Sequence, residues 1–82
     1  MVLTEEEQRI IRRSVELRGN ARASVFEVGA TVPQDVELRG FPEAVVQKVP
    51  KVSKYKYCTS ENRIAIVDPN SDKVQLVIDE RG

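Results

Sequence analysis

The chain has 82 residues, with 13 basic side chains balanced by 13 acidic ones, no histidine and one cysteine. A chain this short forms one domain with a small core, and zero formal net charge gives no field to gather DNA or an anionic membrane. One cysteine excludes an internal disulfide, and having no histidine removes the commonest general base and transition-metal ligand together. The expectation is therefore a single soluble domain over residues 1–82 that is not an enzyme and takes no cofactor or metal. No apolar run approaches a membrane span, and none follows Met1 of the kind a signal peptide needs.

The first element is a helix over residues 3–18, within an N-terminal helical segment of residues 1–20. Thr4 is a good N-cap, and Glu7 stands three positions on, which is capping-box spacing. Glu5, Glu6 and Glu7 crowd the first turn, while Arg12, Arg13 and Arg18 lie towards the other end, in accord with the helix dipole. Ile10, Ile11, Val15 and Leu17 make a narrow apolar stripe, so the helix rests on something rather than being enclosed. Gly19 and Asn20 stop it. The Arg12–Arg13 pair reads as a solvated face with Glu-to-Arg pairs along the helix.

An α+β core is expected over residues 24–79. Residues 24–28 form a short candidate strand ended or bulged by Gly29. Residues 31–35 are a turn cornered by Pro33, and residues 36–39 alternate as an extended segment, an edge strand closed by Gly40. Pro42 is well placed to start one or two turns of helix through Lys48, with Val45, Val46 and Val49 sharing a face. The competing reading is a strand, because valine forms helix poorly; Pro50 bars continuation in either case.

Residues 54–79 read as a three-stranded meander with two tight turns. Ile64 and Ile66 fall on one face, and Val74, Leu76 and Ile78 repeat that spacing on the next strand. Asn62 is the residue of the first turn that best tolerates a left-handed conformation. In the second turn Pro69 fixes its own φ, and the Asp68 carboxylate can accept from amides just beyond. Asp68 and Asp72 supply too few oxygens for calcium, and turn-making explains both.

Four lysines, Lys48, Lys51, Lys54 and Lys56, interleave with Tyr55 and Tyr57. Basic residues beside aromatics can stack and track single-stranded nucleic acid. The plainer reading turns the tyrosines inward and leaves the lysines to guard an exposed edge. Cys58 falls on the face opposite the tyrosines and, without a histidine to activate it, reads as a structural thiol.

The order VGATVPQDVELRGFPEAVVQKVP, YKYC and RIAIVDPNSDKVQLVID resembles the bacterial domain-of-unknown-function family 1236. Gly29, Val32-Pro33, Val36, Leu38, Pro42, Pro50, Tyr55, Tyr57, Ile66-Val67-Asp68-Pro69, Val74, Val77 and Ile78 carry the likeness. It departs at Asn70-Ser71-Asp72-Lys73, where the family has a turn rich in threonine and arginine. The resemblance implies a small exported alphaproteobacterial domain, periplasmic or secreted, with no catalytic or ligand residues to carry over.

The resulting expectation is an α+β fold: an N-terminal helix and a short second helix packed on a small antiparallel sheet around the C-terminal meander. In function it is a non-catalytic envelope module that binds a protein partner or itself by strand addition, at residues 55–59 or 74–78. The candidate interaction surface is Lys54, Tyr55, Lys56, Tyr57 and Arg63. The alternative is a nucleic-acid-binding module built on residues 48–57.

Overall fold

A computed structural model of the chain describes residues 2–15, 26–60 and 63–79. Helix α1 runs from Glu5 to Ser14. The Thr4 hydroxyl accepts from the Glu7 amide at 3.1 Å and the Glu7 carboxylate accepts from the Thr4 amide at 2.9 Å, completing the expected capping box. The helix ends four residues before the expected arrest at Arg18, because Val15 turns extended and buries its side chain. Residues 16–25, with Leu17, Arg18, Gly19 and Asn20, lie outside the described residues.

Residues 26–28 form a bend and turn, not the expected strand; the first two positions of that strand lie outside the described residues. Gly29 follows with φ of +90°, a backbone shape that side-chain-bearing residues avoid. The chain then runs beside the last strand, with the Val32 amide bonded to the Asp72 carbonyl and the Val74 amide to the Ala30 carbonyl. Strand β1 is only Arg39–Gly40. The predicted edge strand over 36–39 is thus shifted, and Gly40 pairs rather than closes. Val36 and Leu38 are instead packed on the second core described below.

Pro42 caps helix α2, Glu43–Lys48, so the helical reading of this segment holds. A single 3-10 turn, Pro50–Val52, follows directly. Val45 and Val49 are fully buried as expected, but the third buried valine is Val52, whereas Val46 is half-buried. Strands β2 (Lys56–Thr59), β3 (Arg63–Asp68) and β4 (Lys73–Asp79) form the meander, and the antiparallel sheet has the order β1-β2-β3-β4.

The sheet divides two cores. Leu3, Ile11, Val15, Val45, Val49, Val52, Tyr57, Ile64, Ile66 and Ile78 pack on the helical side. Phe26, Val32, Cys58, Ala65, Val67 and Val74 pack on the other, under residues 26–38. Ile64, Ala65, Ile66 and Val67 are consequently all buried, so β3 is an apolar run rather than an alternating one.

Val74 departs from the expected pattern, because it lies on the face opposite Leu76 and Ile78. The register explains this: Ile66 faces Leu76 but Val67 faces Val74, leaving Gln75 as an extra residue. Such a bulge resets the two-residue alternation. The preceding turn behaves as its residues dictate, with the Asp68 carboxylate accepting from the Asn70 amide at 2.9 Å. Asp72 takes the left-handed position at φ of 56°. Residues 61–62, including Asn62, lie outside the described residues.

Candidate functional site

The five candidate surface residues do not form one surface. Lys54 and Lys56 are exposed and Tyr55 is half-buried, close to the α2 end of β2. Tyr57 is buried, with its ring 4.9 Å from that of Phe41 at an interplanar angle of 38°. Arg63 sits at the far end of the sheet, opposite Asp79, and its Nε donates to the Asp79 carboxylate at 3.1 Å. Lys51, a further member of the basic run, donates to the Glu7 carboxylate at 3.1 Å and the Val2 carbonyl at 3.3 Å.

Cys58 lies on the face opposite Tyr57, as expected. Burial pushes its thiol up to about 11, so the nucleophilic thiolate is scarce at neutral pH. Among the described residues no group of three His, Cys, Asp or Glu side chains could hold a metal ion. No described helix is long and apolar enough to cross a membrane. Val32, Pro33, Gln34, Val36, Leu38 and Asp72 line an open cleft of about 250 Å³, in which Asp72 is the one charged side chain.

The sheet edges are more informative. The backbone groups of an antiparallel strand point alternately to its two neighbours. The Ser60 amide bonds the Arg63 carbonyl at 3.0 Å, so odd-numbered residues of β3 face β2 and even-numbered ones face β4. On β4, Leu76 and Ile78 stand opposite Ile66 and Ile64 and therefore turn their amides and carbonyls inward. Those of Val77, between them, turn outward.

Much of this outer edge is already occupied. At one end the Val74 carbonyl accepts from Gly29 at 2.8 Å and its amide donates to Ala30 at 2.9 Å. At the other, Arg12 donates from Nη1 to the Asp79 carbonyl at 3.3 Å. Between these closures no described residue bonds the Val77 amide or carbonyl. Leu76 and Val77 are half-exposed on the two faces beside this opening, and Val28, 69% exposed, stands at its closed end.

The other edge is shut where it was expected to be open. Arg39 pairs with Tyr57 and Gly40 with Lys56, so residues 55–59 are not a free strand. The sequence concealed this because two residues of β1 carry no alternation to read.

A small α+β domain with a bulged edge strand is the class that these features define. The family described as Domain of unknown function (DUF1236) matches residues 6–79, and the chain belongs to it. No curated protein and no solved structure matches the chain.

Proposed function

We propose that the domain is a non-catalytic binding module of the bacterial envelope, and that it takes an extended segment of a protein along the outer edge of β4. The outward, unoccupied amide and carbonyl of Val77 carry this reading. An added strand gains main-chain hydrogen bonds there, and the half-exposed Leu76 and Val77 give it apolar contacts on both faces. The slot is short, closed by residues 29–30 and by Arg12, which suits a weak, reversible partner rather than a permanent one. The periplasmic or secreted location rests on the resemblance of the sequence to exported domains. The nucleic-acid reading has weaker geometry, since Tyr57 is buried and Lys51 is engaged with Glu7.

Selection of random extended peptides against the chain, with Val77→Pro as the control, tests the binding reading. Proline removes an N–H that makes no bond to β3, so the ladder survives the change. Peptides that need the Val77 amide and slow its hydrogen exchange support strand addition. Peptides that bind the proline variant equally well overturn it. Cell fractionation tests the location, for which recovery from the cytosol alone is the contrary result.

A further inference from the structure

Resting on the strand-addition reading, we infer that the occupant of the β4 edge is β4 of a second copy, antiparallel about a two-fold axis at Val77. The outward groups of Val77 meet the conditions for a self-pair. Two copies placed this way exchange both N–H···O bonds between their Val77 residues. The same register sets Leu76 opposite the partner copy's Ile78, and Gln75 opposite its Asp79. Each half-exposed apolar side chain thereby meets an apolar one, and a carboxamide that can donate meets a carboxylate. No like charges are opposed along the seam.

The ends of the slot fit as well. The stretch beyond Val74 runs over residues 75–79, with the Asp79 carbonyl taken by Arg12, and in this register each copy inserts that same stretch. In this register β4 of the partner, which ends at Asp79, does not overlap the part of β4 that residues 29–30 cover. Arg12 does not forbid the pairing: it takes the Asp79 carbonyl, and the bond at this position runs from the partner's Asp79 amide to the Gln75 carbonyl, which turns outward because the Leu76 amide of the same peptide turns inward. The formal net charge of zero leaves no long-range repulsion between copies. A seam this short is well below a standard interface, so association is expected on the order of 100 μM.

Sedimentation equilibrium of the full chain from about 10 μM to 1 mM, in reductant, reads the association directly. The wild type is expected to move from monomer to dimer, and Val77→Pro, with its fold checked by circular dichroism, to remain monomeric. Val77→Cys fixes the register independently. The two-fold brings its Cα atoms to about 5.5 Å, within disulfide reach, so mild oxidation links two copies. Gln75→Cys alone does not link, but does so when mixed with Asp79→Cys.

A dimer that survives Val77→Pro, or a Val77→Cys variant that resists linking, overturns the inference. A monomer throughout also overturns it. In that case selected peptides still bound at Val77 leave strand addition standing, whereas their loss as well removes both readings.

Discussion

Glu7 and Lys51 meet at 3.1 Å and tie the first turn of α1 to the turn that follows α2. The Glu7 carboxylate also accepts the Thr4 amide at 2.9 Å, and these contacts, the Thr4 amide first and Lys51 next, hold its pKa below the ordinary 4.5. A carboxylate whose pKa is lowered by folding stabilises the fold above its unfolded pKa and stops doing so as pH falls through the lowered value. Glu7→Gln keeps a capping-box side chain but loses the charge. Its urea midpoint is therefore expected below that of the wild type at pH 7, with the gap closing as the solution is acidified below pH 4.5. A gap that stays constant down to pH 2 would contradict the assignment.

Ile11 is the α1 side chain with no exposed surface, and it joins Val45, Val49, Val52 and Ile78 in one cluster. Truncation to alanine removes buried methylene and methyl groups and leaves a cavity, at about 2–4 kcal/mol. Ile10→Ala, on a half-exposed neighbour, is expected to cost less than half as much. Denaturant titration of the two variants gives the ratio directly.

Two glycines separate backbone strain from side-chain room, because a Cβ at either would meet nothing within 4 Å. Gly29 holds φ of +90° and Gly40 has no positive φ. Gly29→Ala is therefore expected to destabilise by about 1 kcal/mol through conformation alone. Gly40→Ala should be neutral or stabilising by up to ~0.5 kcal/mol. Equal losses at both positions would mean that the bend at Gly29 is not held as described.

The Cys58 thiol is 3% exposed, and with a pKa of about 11 it has on the order of one thiolate in a thousand at pH 8. Ellman's reagent should label it only as fast as the domain opens, and rapidly in urea. Prompt, complete labelling of the folded protein would place the thiol at the surface.

Deleting Gln75 removes the extra residue of the β4 bulge and is expected to leave the domain folded. Val74 is 1% exposed in the second core, and without Gln75 it stays opposite Val67 while Leu76 stays opposite Ile66, on alternate faces of the strand. Amide dispersion in a two-dimensional NMR spectrum reports the outcome. Loss of dispersion, or of protection at Val74, would show that the bulge residue itself is needed to hold the two cores.

What could be read from the sequence was whatever short-range chemistry governs. Thr4 and Glu7 announce the start of α1, Pro42 and Pro50 bracket α2, and Asp68 through Asp72 spell a reversal by their own side chains. What could not be read depends on partners distant in the chain. Arg39 and Gly40 become a strand only because Lys56 and Tyr57 lie beside them. Residues 26–38 cover the second core with almost no regular structure, so no periodicity marks them. Gln75 is polar at a place where simple alternation allows a polar residue, which hides the bulge. The same limits apply to the candidate site: the sequence identified β4 as an edge, but the closures at Ala30 and Arg12 that narrow it to Val77 are tertiary.

The seat of α1 has a further consequence for the order in which the molecule can be made. Ile11 leaves the ribosome early, yet the cluster that receives it includes Ile64, Ile66 and Ile78. Until Ile78 has been synthesised and the meander has closed, the helix has only part of its docking site, and Asp79 is not there to take the Arg12 hydrogen bond. A ten-residue helix is marginal alone in water, so it gains its shape only when the last strand arrives. The first element of the chain is thus among the last to become permanent, and folding is a single late event rather than one that follows the order of synthesis.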